Sequence, residues 1–262
     1  MGTSRRQAER PPRGGQPATG LARALSKLGF CSRSQAGSWI GGGRVKVNGV
    51  VRQDPLWPVR MRVDRIEVDD RQLKPPGYVY LVLNKPRGLV TTTQDEKGRA
   101  TVFECLREAD LPRVMPVGRL DQASEGLLLF TNDTAWADGI TSPDSHWDKT
   151  YHVQIDRLAD ESLLQGLRAG LTVAGDFLQV KQASIVRQGE RNCWLEMVID
   201  EGKNRHLRRL LAGFGISVLR LIRIAVGPLQ LGPLAKGAFR HLATEEVEAL
   251  RRAPGRSRLV PG

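Results

Sequence analysis

The chain has 262 residues, with 40 Lys and Arg against 28 Asp and Glu, a net charge of +12 and a pI of about 10.2. Three widely separated cysteines and four scattered histidines argue against a disulfide framework and provide no metal-ligand spacing, which fits a reducing, cytoplasmic setting. No apolar run approaches the roughly 18 residues of a membrane span, and no apolar segment of a signal peptide follows the basic residues 1–20.

The charge is unevenly placed. Residues 1–20 carry +3, 21–66 carry +7, 67–201 carry −7 and 202–262 carry +9. Cationic ends around a mildly acidic middle are the footprint of a polyanion binder. Such a length accommodates one large or two modest domains.

Taken in chain order, residues 1–20 read as a disordered basic tail rich in Pro and Gly. Leu21, Leu25 and Leu28 then share a helical face, and Gly29 supplies a stop. Ser32 followed by Gln35 is a capping box that opens a second helix with Ala36, Trp39 and Ile40 turned inward, ending at Gly41-Gly42-Gly43. In "RVKVNGVV", Val45 and Val47 alternate with Arg44 and Lys46, and Asn48-Gly49 signals a two-residue hairpin. The stretch "LGFCSRSQAGSWIGGGRVKVNG" closely resembles the RNA-binding domain named after ribosomal protein S4. That resemblance implies RNA contacts from Arg33, Arg44, Lys46 and Arg52, with Ser34 standing where such domains often carry a further Arg.

Residues 21–73 are therefore expected to form an S4-like domain, and 74–77, with Pro75-Pro76-Gly77, a linker. A larger domain over 78–250 follows, and 251–262 form a basic tail. Tyr78 to Leu83 is a β-rich apolar run turned by Asn84-Lys85-Pro86. "GRLDQASEGLLLFTND" places Arg119 and Asp121 just ahead of a buried strand, Gly126 to Phe130. In "DKTYHVQID", Tyr151, Val153 and Ile155 share one strand face. "CWLEMVIDEGKNRHLRRLLAGFG" predicts a strand, a turn at Glu201-Gly202 and a helix capped by Asn204, with Leu207, Leu210, Leu211 and Phe214 as its buried stripe. Strands separated mostly by loops place the chain in the α+β class, with a largely antiparallel central sheet.

"NKPRG", "GRLDQASEGLLLFTND", "KTY" and "EGKNRHLRRL" occur in the order and spacing of the bacterial ribosomal RNA pseudouridine synthases, and the chain resembles the subfamily that pairs an S4-type domain with that catalytic fold. The resemblance implies isomerisation of a specific uridine in ribosomal RNA, free or in an assembly intermediate. It makes Asp121 the catalytic aspartate, paired with Arg208, and sets Tyr151 against the target base. Arg119 would enter the RNA helix as the uridine flips out, and Leu207 would line the pocket. Lys85 is a candidate for substrate contact, although a turn at the strand end explains it as well. The family usually has Thr where Ser124 stands, and commonly Gly where Thr134 stands. The reaction adds no group and changes no oxidation state, so neither cofactor nor metal is expected, and the protein is expected to act as a monomer away from membranes. What it requires is one carboxylate at the ribose–base junction, with a fixed cation to keep it ionised in an apolar pocket. The alternative, a non-catalytic RNA-binding ribosome-assembly factor, would fit a degraded site, whereas Asp121, Tyr151 and Arg208 are all present; an RNA glycosidic hydrolase would release free base.

Overall fold

The computed structural model describes residues 18–61, 63–72, 77–93 and 95–252. The chain divides between Pro76 and Gly77 into two compact units. Residues 74–76 of the expected linker lie outside the described residues, as do residues 1–17 and 253–262 of the expected tails.

In the first unit, α1 (Leu21–Lys27) buries Leu21, Ala24 and Leu25. The chain leaves it through Gly29, whose φ of +81° suits a residue without Cβ. The capping box forms at the start of α2 (Arg33–Gly41): Gln35 N donates to Ser32 Oγ at 3.1 Å, and Ser32 N to Gln35 Oε1 at 2.9 Å. Strands β1 (Val45–Val47) and β2 (Val50–Val51) close a hairpin through Asn48 (φ +52°) and Gly49 (φ +80°), the paired positive φ values that match strand twist. Strand β3 (Ile66–Val68) lies on the other edge of β1, and Val45, Val47, Ile66 and Val68 meet the helices in one core. Thr19–Gly20 pairs antiparallel with Pro58–Val59, so the end of the expected tail is part of this unit.

The second unit is built on a nine-stranded sheet. Its elements in chain order are β4 (Tyr80–Lys85), β5 (Glu125–Thr131), α3 (Thr134–Thr141), β6 (Lys149–Ile155), α4 (Glu161–Ala169), β7 (Gln182–Gln188), β8 (Cys193–Ile199), α5 (His206–Gly213), β9 (Val218–Val226), β10 (Phe239–His241) and α6 (Thr244–Arg251). The spatial order is β7-β8-β6-β9-β5-β4-β10, with Met115–Val117 added to β5 and Leu229–Gln230 to β9. The largely antiparallel α+β architecture read from the sequence is thus present, and only β9 with β5 runs parallel among the paired strands of this sheet. Strand β4 begins two residues later than expected because the ladder with β5 ends at Tyr80–Thr131, leaving Tyr78 exposed. It also runs through Lys85, so the turn falls at Arg87-Gly88.

The sheet has two unlike faces. Leu83, Leu128, Phe130, Tyr151, Val153 and Leu195 point into one core, closed by α4 and α5 through Leu164, Leu167, Leu207, Leu210 and Leu211. On the other face, Val82, Leu127 and Leu129 pack against Trp136 and Ile140 of α3 and Val247 and Leu250 of α6. Strand β5 sits between the two layers with all of its residues buried, which is why it reads as a continuous apolar run without alternation.

The parallel contact depends on Gly126. It has φ +99° and lies opposite Arg223 of β9, where a Cβ would fall 2.2 Å from the Arg223 carbonyl oxygen. Gly126→Ala is expected to lower unfolding free energy by roughly 2–4 kcal/mol, measured by urea denaturation. Gly139, in α3 with no atom within 4 Å of its would-be Cβ, provides the contrast: Gly139→Ala should stabilise by roughly 0.5–1 kcal/mol. Equal losses at both positions would contradict the account of the parallel pair.

Candidate active site and nucleic-acid interface

Asp121 lies in the loop that leads into β5, and the backbone of this loop is held residue by residue. Thr91 Oγ1 donates to Leu120 O at 2.7 Å. Lys85 Nζ donates to Asp121 O at 3.2 Å and to Ser124 O at 2.8 Å. Gly88 N donates to Gln122 O at 2.8 Å, and Gln122 Nε2 returns a bond to Gly88 O at 3.0 Å. Arg208 donates to Ala123 O at 3.1 Å. Every carbonyl from Leu120 to Ser124 thus has a donor, drawn mainly from "NKPRG" with its continuation to Thr91 and from "NRHLRRL". Three motifs distant in sequence meet on one backbone segment.

With its backbone fixed, the Asp121 side chain stands half-exposed and accepts no hydrogen bond among the described residues. Its charge is felt by Lys85 and by Arg208. The expected ion pair with Arg208 is replaced by another arrangement. The guanidinium donates to the backbone of Ala123 and, at 3.5 Å, of Val218, while its Nε is buried without a partner among the described residues. Arg208 therefore acts on Asp121 through space and through the loop it grips. Burial lowers the Arg208 pKa first, Arg205 and Arg87 push it the same way, and Asp121 opposes them. The surroundings of the carboxylate are therefore strongly cationic.

Lys85, expected to contact substrate, is fully buried beneath the loop with Nζ on the carbonyls of Pro86, Asp121 and Ser124. With its three donors on backbone oxygens, the ammonium holds the loop in place. Burial pulls its pKa down to about 8, partly offset by Glu125, Asp121 and Cys105. Tyr151 on β6 and Leu207 on α5 are buried in the same cluster as Leu120, the residue just before Asp121. Arg119 is exposed, with no hydrogen bond or ion pair among the described residues. Helix α5 is not capped by Asn204. Arg205 takes the N-cap position in the left-handed region, φ +49°, without a side-chain cap bond, because the chain turns sharply into the helix there.

Sequence reasoning passes over Thr91 and Glu125, and takes Arg205 only as part of the cationic content of the helix. Glu125 follows the loop directly and is buried. Burial alone would raise its carboxyl, but the Arg220 fork (3.0 and 3.0 Å) and Lys236 (2.6 Å) outweigh this and hold it below the usual carboxylate range. The signal was available: a carboxylate opening a strand that is otherwise apolar demands a cation. Thr91 and Arg205 carry no comparable signal.

In the first unit, Arg33 is exposed at the start of α2. Arg52 stacks on Trp57, 3.8 Å from the ring centroid. Arg44, over Trp39, forms a bidentate pair with Asp69 at 2.8 and 2.5 Å, and Lys46 pairs with Asp70. Two of the four cations expected to meet RNA are thus matched by aspartates just beyond β3. Exposed pairs of this kind are weak and screened by solvent, so a phosphate group can displace the carboxylate.

These features place a carboxylate in a cationic sheet-end loop, in a chain whose first unit is a small helix–hairpin module. The model of the RNA pseudouridylate synthase family matches residues 79–213, and that of the S4 domain matches residues 19–66. The chain is 38% identical to an uncharacterized RNA pseudouridine synthase of Aquifex aeolicus, over 88% of this chain and 93% of that one. It is 33% identical to ribosomal large subunit pseudouridine synthase B of Bacillus subtilis, over 88% and 95% respectively. A solved pseudouridylate synthase shares the fold with a TM-score of 0.62 and 28% identity, over 88% of this chain and 99% of that one. The chain belongs to the RNA pseudouridine synthase family, and its synthase domain follows an S4 domain.

Lys85 provides a pH test of the site. Its folded-state value of about 8 lies below the ordinary 10.5, so between those values the unfolded chain binds more protons. Its contribution to stability is therefore lowest below pH 8 and rises as pH increases towards 10.5, by on the order of 3 kcal/mol. The stability difference between wild type and Lys85→Met, followed by urea unfolding from pH 7.5 upwards, should change across this window by about that amount. Parallel pH curves would contradict a buried, charged Lys85.

Proposed function

We propose that this RNA pseudouridine synthase converts a specific uridine of ribosomal RNA to pseudouridine, with Asp121 as the catalytic carboxylate. The observation that carries the reading is the pairing of a pinned loop backbone with a free carboxylate: the Asp121 side chain has no protein hydrogen bond among the described residues, yet each carbonyl around it is tied down. Preorganisation of this kind leaves the charged oxygens available to substrate at no cost in reorganisation. The ribosomal assignment is supported by the Bacillus subtilis relative, whose name specifies the large ribosomal subunit.

In the reaction the bond from ribose to ring nitrogen breaks and a bond from ribose to ring carbon forms. The hydrogen on that carbon leaves as a proton and the freed nitrogen carries one, so the composition is unchanged. Asp121 acts at the ribose–base junction, as nucleophile or as charge and proton partner. Lys85 and Arg208 set positive charge beneath and beside the loop that carries it. Tyr151 and Leu207 line the apolar pocket that receives the base, and an aromatic face stacks on a base with about 1–3 kcal/mol. Arg119, two residues before the carboxylate and free of protein partners among the described residues, fills the gap left by the flipped nucleotide, offsetting an unstacking cost of a few kcal/mol.

The deciding experiment is nucleotide-resolution pseudouridine mapping of ribosomal RNA from cells lacking the protein, restored with wild type or with Asp121→Asn. One site should vanish in the null strain, return with wild type and stay absent with the variant; purified Asp121→Asn should bind RNA within about two-fold of wild type. Persistence of every site would remove ribosomal RNA as the substrate. In the S4 domain, Asp69→Asn and Asp70→Asn together should tighten RNA binding several-fold and steepen its salt dependence by one to two phosphate equivalents, about 0.7–0.9 in slope for each. Unchanged binding would mean that Arg44 and Lys46 do not meet phosphate.

A further inference from the structure

The face of the sheet opposite Tyr151 carries a row of side chains that the reaction does not use. Arg187 of β7 lies opposite Trp194 of β8, Trp194 opposite Gln154 of β6, and Gln154 opposite Arg220 of β9. Directly opposed residues share a face, and on β6 Tyr151, Val153 and Ile155 occupy the other one, so the four side chains form one transverse row on the reverse. Arg187 is exposed, and the other three are half-exposed.

Two guanidinium groups lie over one indole: Arg187 at 5.9 Å and Arg220 at 5.5 Å from the Trp194 ring. Stacking holds a guanidinium through its flat face and leaves its N–H edge free. Arg187 uses none of its donors on protein among the described residues. Arg220 spends Nε and one amino group on Glu125. Lys236 shares that carboxylate, so one negative charge faces two positive ones. On the same face, His152 of β6 and Glu196 of β8 lie opposite each other and pair at 3.2 Å. The surplus is therefore positive, in a chain whose residues 67–201 carry −7 overall.

We propose that the Arg187–Trp194–Arg220 row is a second RNA contact, a site for the phosphodiester backbone on the reverse of the catalytic sheet. It grips RNA away from the target nucleotide, with Trp194 orienting the guanidinium forks and Arg187 making the principal phosphate contact. Planar, preset forks match phosphate oxygens bidentately, which a flexible ammonium does not. The inference rests on RNA being the substrate.

The test is the affinity of the full chain for purified ribosomal RNA, measured by filter binding across a salt series. Arg187→Glu should weaken binding roughly ten-fold and lower the log–log salt slope by about one. Arg187→Lys should restore the slope while remaining weaker than wild type, because charge without the stacked fork is insufficient. Trp194→Leu should weaken binding about three-fold; since Trp194 is half-buried, the exposed Arg187 variants carry the decision if that protein fails to fold. Arg187→Glu with wild-type affinity and slope would overturn the proposal and leave the row to a protein partner. Wild-type protein that retains no RNA would instead overturn the functional reading on which the row depends.

Discussion

Five consecutive carbonyl oxygens, from Leu120 to Ser124, are the constraint on which the rest of the second unit depends. A loop at the mouth of a strand ordinarily turns its carbonyls to water, and its conformation then wanders among several wells. Here Thr91, Lys85, Gly88, Arg208 and the loop's own Ser124 amide fix each of them. Burial of the Lys85 ammonium is tolerable only because every one of its donors finds an oxygen. Remove the donors and the carboxylate loses its address, although no atom of Asp121 has changed.

The same loop is anchored on the opposite side of the sheet by Glu125. Lys85 lies on the face that carries Tyr151, whereas Glu125 shares the reverse face with Arg220 and Lys236. The two charges lie on opposite faces of the sheet, and Glu125 tempers the desolvation of Lys85. Gly126, the next residue, permits β9 to approach closely enough for Arg220 to reach this carboxylate. Strand order, one glycine and one ion cluster therefore act together to present a single carboxyl group.

Much of this was readable from the chain because it rests on local chemistry. The Ser32–Gln35 box, the Asn48-Gly49 hairpin and the alternation of Tyr151, Val153 and Ile155 are signals within a few residues, and each lies where its pattern implied. What escaped depends on partners far away in sequence. Lys85 reads as a turn residue until the loop 36 residues later closes over it. Arg44 and Lys46 read as free cations until Asp69 and Asp70 come round beside them. Arg205 takes a left-handed conformation that no side-chain rule assigns to arginine, and Asn204 offered a conventional cap in its place. The Arg187–Trp194–Arg220 row is invisible without strand register, since its neighbouring members lie seven and 26 positions apart in the chain.

A loop gripped by its main chain is indifferent to most of the side chains that it bears. Ser124 shows this directly: its carbonyl oxygen is held by Lys85 while its hydroxyl is buried without a partner. Neutral drift at Ala123 or Ser124 thus leaves the carboxylate in register, because every peptide unit offers the same oxygen whatever residue it belongs to. The burden of invariance moves instead to the donors, scattered across a strand end, a turn and a distant helix. Over evolutionary time such a loop can rewrite the side chains around its carboxylate while the donors that aim it stay fixed.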